Sequence, residues 1–290
     1  MTVPNLSPYA TFDLTRPEDW RGGVIFASPH SGRDYPGWFL AESRLDPVQL
    51  RSSEDAFVDR LIAPAVAAGA VTLAARIPRA VVDLNRSAED LDPAAISGIA
   101  PRRPDPRILS GLGVIPRVVS HGCPIRHGKL PEPEARRRID AYWRPYHAAL
   151  AALMDEAVAR CGRAILIDVH SMPREALSHL NAPPPDIVLG DRNGVSADPW
   201  LTAAVAGALD EAGFAVRRNS PFAGAHIAAA YGRPARGRHV VQIEIDRSLY
   251  MDEAAIRPHD RFDAFAARFG AVVARMARLG DPGQARIAAE

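Results

Sequence analysis

Ala164-Ile-Leu-Ile-Asp-Val-His-Ser171 is the stretch whose reading decides the fold. It is apolar almost without break from Ala164 to Val169, the pattern of a strand covered on both faces, and Gly162 separates it from a long helical rhythm upstream. Strands of that kind sit in sheets with helices on both sides. Asp168 and His170 are two residues apart, so both project from one face of the strand as it ends.

Working outward, Val24-Ile-Phe-Ala27 reads as a second buried strand, running into Ser28-Pro-His30-Ser-Gly32. Val71 to Ala74 and Ala80 to Leu84 read as strands joined by a turn at Arg76 to Arg79. Ile187 to Leu189, Phe214 to Val216 and Val240 to Ile245 come next. Helical spacing predicts Asp55 to Ala68, capped by Ser52 or Ser53, then Glu134 to Arg160 bent at Pro145, Leu201 to Ala212 closed by Gly213, and Phe262 to Leu279. The aromatic stripe of the 134–160 helix reads as core. Strands alternating with helices predict an α/β sandwich around a mixed sheet, counted as a single domain over residues 1–290. Residues 86–133, including Pro101-Arg-Arg-Pro-Asp-Pro106, show little periodicity and read equally as an active-site lid or a surface insertion.

Composition narrows the function classes. The chain has 290 residues, 47% of them hydrophobic, enough for a sizeable core. Its 35 basic and 34 acidic side chains nearly cancel, so bulk charge suggests neither a nucleic acid nor an anionic membrane as partner; a small molecule is expected. Cys123 and Cys161 are too few for a disulfide framework, and the amino-terminal residues carry no signal-peptide pattern, so a cytoplasmic, soluble protein is expected.

Three distant segments place reactive side chains at strand ends: His30, then Asp168 with His170, then Gln242-Ile-Glu244. Open α/β sheets gather chemistry outside the carboxyl ends of their strands. Two imidazoles with a carboxylate from Glu54 or Asp55 would make a zinc-type donor set with a coordination position open for water. Asp168 would orient an imidazole, or pair with a cation. Glu244, an acid inside an apolar strand, suits a general base; a structural ion pair with Arg247 is the alternative. Arg79, Asn85 and Arg86 flank the Ala80–Leu84 run, where an arginine fork with an asparagine donor could take a substrate carboxylate.

Ser28–Gly32, Ser53–Asp59, Arg79–Arg86, Trp143-Arg-Pro-Tyr-His147, Asp168–Ser171, Tyr231-Gly-Arg-Pro234 and Gln242–Glu244 with Leu249–Glu253 resemble, in that order, the N-formylglutamate amidohydrolase (deformylase) family over about residues 20–255. The resemblance implies a three-layer α/β/α sandwich with a mixed sheet, similar to zinc carboxypeptidases and aspartoacylases, and zinc-dependent deacylation of a small carboxylated substrate. It implies His30, Asp55 and His170 as metal ligands, Asp55 matching the family's acidic position better than Glu54. Glu244 is then the base, with Arg79, Asn85 and Arg86 near the substrate carboxylate. Zinc is expected, other divalent ions being compatible with the same donors. Oligomeric state is not legible.

The chain departs from the family's histidine-degradation members at Ala223-Gly-Ala-His-Ile227 and Ala228–Ala230, which stand where those resemble Gly-Gly-Tyr-Ile and a polar pair. The acyl amino acid preferred is therefore left open. Rival readings are a carboxypeptidase-like or other N-acyl amino acid hydrolase, and a non-catalytic protein that binds carboxylated ligands. A nucleophile at Ser31, or at Cys123 with His121 or His127, is a weaker alternative because no nucleophile-elbow or cysteine-enzyme signature is present.

Overall fold

The computed structural model describes residues 10–100, 105–180 and 183–281. The first four residues of the Pro101–Pro106 run lie outside them. Seven strands form the main sheet: β1 (Phe12–Thr15), β2 (Val24–Ser28), β3 (Val71–Ala75), β4 (Ala164–Met172), β5 (Ile187–Gly190), β6 (Val216–Arg218) and β7 (Arg238–Asp246), in the order β1-β3-β2-β4-β7-β5-β6. β3, β2, β4 and β7 run parallel and β5 lies antiparallel to β7, so the sheet is mixed as expected. All nine residues of β4 and all five of β2 are buried. Because successive side chains point to opposite faces, that burial means both faces of the central sheet are covered. β1 is a strand that the sequence pattern does not announce.

Two compact units are distinguishable within the chain. Among the described residues, one comprises 10–13, Pro29–Ala56 and Ala75–Ala149; the other comprises Leu14–Ser28, Phe57–Ala74 and 150–281 and carries nearly all of the sheet. In the second unit, α1 (Val58–Ile62), α2 (Pro64–Ala67) and a helix at Pro199–Glu211 all pack against the helix Phe262–Met276. That last helix buries Phe262, Phe265, Phe269, Val272, Val273 and Met276, the stripe a 3.6-residue period dictates. Phe265 and Phe269 stack with ring centroids 5.9 Å apart, and truncating either ring to alanine removes about 3–5 kcal/mol of core packing.

The helix expected over Asp55–Ala68 starts only at Val58 and divides at Pro64, whose ring clashes with the carbonyl four residues before it in a continuous helix. Asp55 stays outside because its N–H bonds the carbonyl of His30 at 2.9 Å, and Phe57 takes left-handed backbone (φ 68°) to enter α1. Ser52 ends the preceding helix rather than capping this one. Ala80 to Leu84 is buried but forms no strand: the N–H groups of Val81 and Val82 turn back to the carbonyl of Pro78. Phe214 still belongs to the exit of the helix before it, bonding Leu209, so β6 begins two residues later than expected.

The 134–160 rhythm resolves into α3 (Glu132–Arg138), a π-helical turn over Ile139–Trp143, and α4 (Arg144–Cys161). Of its stripe, Ile139, Tyr142, Tyr146, Leu150, Leu153 and Met154 are core, whereas Trp143 and Val158 are only partly buried. The described part of 86–133 holds only short elements, among them the helix Pro106–Leu109 and a two-residue parallel pairing of Ile96–Ser97 with Leu130–Pro131. Val114, Ile115 and Ile125 are nonetheless fully buried, which ties much of this segment into the first unit's interior.

Candidate metal centre and active site

β2 lies parallel to β4 with Ala27 beside Asp168, so the segment leaving β2 emerges at the end of the sheet where His170 stands. Gly32 is dictated by contact: a Cβ there would collide with the carbonyl of Ile77, so any side chain would displace the His30 loop from the backbone it rests on. His30 is held from three sides. Its carbonyl accepts from Asp55 N–H, its Nδ1 lies 3.5 Å from Asp55 Oδ2, and its Nε2 is 2.7 Å from Asp83 Oδ1. A carboxylate facing Nε2 draws the ring proton there and puts the lone pair on Nδ1, the tautomer a metal ligand requires.

Asp83 is a member of this network that the sequence does not announce, because the Ala80–Leu84 run reads as a strand. It accepts the Asn85 N–H at 2.8 Å and Arg79 Nη2 at 2.7 Å as well as facing His30. Burial alone would raise its pKa, but Arg79 and His30 beside it hold the carboxyl well below the usual range, so it is an anion. The available signal is an aspartate two residues before Asn85 in an apolar run, a buried charge that needs a partner.

On the sheet, Asp168 Oδ2 lies 3.1 Å from His170 Nε2, the same carboxylate–imidazole arrangement. Parallel register sets Glu244 beside His170 and Gln242 beside Asp168. Along β7 only Arg238 and Glu244 are partly exposed, the other seven residues being buried, so Glu244 faces an opening. Its carboxylate is steadied by Gln242, also unanticipated: Ala225 N–H donates to Gln242 Oε1 at 3.0 Å, which fixes the amide so that Nε2 donates to Glu244 Oε1 at 2.9 Å. Arg247, the alternative ion partner of Glu244, donates Nε to Ser171 Oγ at 3.1 Å.

His30, Asp55 and His170 are all buried, and one ligand atom from each lies within 4.8 Å of the others, a group able to hold a metal ion. The donor chemistry fits: two imidazoles with a carboxylate behind each Nε2, and one acid, is a set that leaves a divalent ion a coordination position for water or substrate. Glu54 is not in this group. Its carboxylate takes Arg51 Nε at 3.1 and 3.2 Å, and burial raises its pKa to about 7, against the pull of Arg51 and Tyr35.

The residues expected at the substrate carboxylate adjoin this network. Arg79 is salt-bridged to Asp83, and Asn85 is 3% exposed. Arg86 is half-buried; desolvation lowers its pKa, and its Nε is buried with no hydrogen-bond partner among the described residues. His121 and His127 are exposed, away from any such grouping in the described residues.

A mixed α/β sheet that sets a carboxylate-backed histidine beside a glutamate near the carboxyl ends of two parallel strands has the constitution of a hydrolase. Comparison with known proteins narrows this. The family model for N-formylglutamate amidohydrolase matches residues 22–251. The chain is 36% identical to the N-formylglutamate deformylase of Pseudomonas aeruginosa over 239 residues, covering 80% of this chain and 83% of that one. It is 36% identical to that of Pseudomonas putida over 189 residues, 64% and 66% of the two chains. The crystal structure of N-formylglutamate amidohydrolase from Ralstonia eutropha JMP134 superposes with a TM-score of 0.88 at 37% identity, covering 94% of this chain and 99% of that one. The chain belongs to the N-formylglutamate amidohydrolase family. No helix among its described residues is long and apolar enough to cross a membrane.

Proposed function

We propose that this protein hydrolyses the amide bond of N-formyl-L-glutamate, or of a close N-formyl amino acid, to formate and the free amino acid, using a divalent ion, zinc foremost, held by His30, Asp55 and His170. The observation that carries the reading is the adjacency of Glu244 to His170 in sheet register, within a family whose curated relatives are deformylases. The bound ion would lower the pKa of a water toward neutrality and offset negative charge on the carbonyl oxygen. Glu244 takes the proton of the attacking water as its oxygen adds to the formyl carbon. It returns that proton to the amine nitrogen as the C–N bond breaks, so no proton is gained or lost. Arg86 and Asn85, with Arg79 anchored on Asp83, hold the substrate carboxylate. The cytoplasm, histidine degradation and action as one domain over 1–290 belong to the same proposal.

A second reading concerns the acyl amino acid. The helix His226–Tyr231 packs on β7 close to where Ala225 meets Gln242, and it carries Ala228, fully buried, Ala229, partly buried, and Ala230, exposed. Small apolar residues there favour a substrate side chain less polar than glutamate's. Release of formate from N-formyl-glutamate and from N-formyl derivatives of apolar amino acids, before and after chelation, tests both readings. Chelation-sensitive turnover is expected, and binding without turnover of any of them would favour a non-catalytic carboxylate-binding protein. Action as one domain predicts a single cooperative thermal transition by calorimetry; two resolved transitions would reject it.

A further inference from the structure

The motif Trp143-Arg-Pro-Tyr-His147 has no part in the chemistry above, yet two of its side chains reach the segment that carries Asn85 and Arg86. Trp143 Nε1–H donates to the carbonyl of Arg86 at 2.9 Å, and His147 Nε2–H donates to the carbonyl of Leu84 at 2.8 Å. The two rings stack on each other, centroids 3.8 Å apart and 22° from parallel, so they act as one rigid plate. His147 is 6% exposed.

This segment has no strand ladder or helix to fix it. Its peptide groups are held one at a time. The peptide between Leu84 and Asn85 is fixed at both ends, its carbonyl by His147 and its N–H by Asp83 Oδ1. The peptide between Arg86 and Ser87 is fixed likewise, its carbonyl by Trp143 and its N–H by Asp90 Oδ2 at 3.0 Å. Asn85 and Arg86 therefore hang between two clamped peptides. The helix supplies the clamp through its π-helical turn, in which Arg144 N–H bonds Ile139 five residues back instead of four. One extra residue in a helical turn rotates the rest of the helix by about 100°, which sets the facing of Trp143 and His147.

We propose that Trp143 and His147 are positioning residues for carboxylate recognition: they orient Arg86 and Asn85 toward the substrate carboxylate through the backbone carbonyls on either side. The inference rests on the proposed assignment of Arg86 and Asn85 to that carboxylate. A fork displaced by about 1 Å loses roughly 10²-fold in a step that depends on its orientation.

The test compares an N-formyl amino acid with its α-carboxamide, which has the same scissile bond without the charge. In Trp143→Phe and His147→Leu, kcat/KM for the acid should fall roughly 10- to 100-fold, chiefly through KM, while the carboxamide is unaffected. His147→Gln, which keeps an N–H donor near the Nε2 position, should recover most of the loss. A fall of equal size on both substrates, or none on either, overturns the proposal. Should wild-type protein turn over neither compound, the deformylase reading fails by itself. Calorimetric titration with N-formyl-L-glutamate then decides the clamp: weaker binding in Trp143→Phe and His147→Leu upholds it, and unchanged binding rejects it.

Discussion

Glu244→Gln is expected to slow formate release by about 10²- to 10⁴-fold in kcat while leaving bound metal and substrate affinity close to those of wild type. The substitution is nearly isosteric and replaces the proton-accepting carboxylate with a neutral amide. Glu244 is partly exposed on a strand whose neighbours are otherwise buried, so no core packing is disturbed. Its Oε1 accepts from Gln242 Nε2, and a glutamine oxygen can take the same hydrogen bond. Stability should hence change little, and a loss of rate is attributable to the missing base. Steady-state kinetics with elemental analysis of the same preparation measures it. If the variant kept more than about a tenth of wild-type kcat, Glu244 would not be the base. If it lost its metal instead, Glu244 would belong among the ligands.

The candidate site is more legible in the sequence than the path of the chain. His30, His170 and Glu244 are legible because each ends or interrupts an apolar run, where a polar side chain has to be explained by chemistry. Sheet register is then a consequence of parallel strands, which is how Glu244 comes to stand beside His170. Asp55 over Glu54 is not decidable from spacing, since both acids precede the same helical rhythm. The structure separates them by one backbone bond, Asp55 N–H to His30 O, and by the contact of Glu54 with Arg51. Asp83 is hidden for a different reason. Val81 and Val82 look like strand residues but are buried in a turn set by Pro78, and burial without a ladder gives the same hydrophobic pattern. The π-helical turn is invisible because it lies where the apolar positions of the 134–160 stretch begin, at Ile139, so too few residues precede it to reveal a shift of phase, and only a bend near Pro145 is expected.

His30→Ala and His170→Ala should each abolish stable metal binding and reduce formate release to background, the largest effects expected from this site. Each removes one of two nitrogen donors and leaves a cavity lined by a carboxylate, Asp83 in the first case and Asp168 in the second. Stability offers a readout independent of turnover. An ion that binds only the folded protein stabilises it by RT ln(1 + [L]/Kd), about 2.7 kcal/mol at a hundredfold excess over Kd, so added zinc should raise the wild-type unfolding temperature and leave both variants unmoved. Asp83→Asn gives a graded control. It keeps both imidazoles but replaces the anion behind His30 Nε2 with an amide, for which a roughly 10- to 100-fold weaker metal affinity is expected rather than loss. Asp83 also holds Arg79 and the Asn85 N–H, so this variant should raise KM for the carboxylated substrate as well, separating it from substitutions at the ligands themselves. Wild-type metal content and an undiminished zinc-induced shift in either alanine variant would show that the ion is held by other residues.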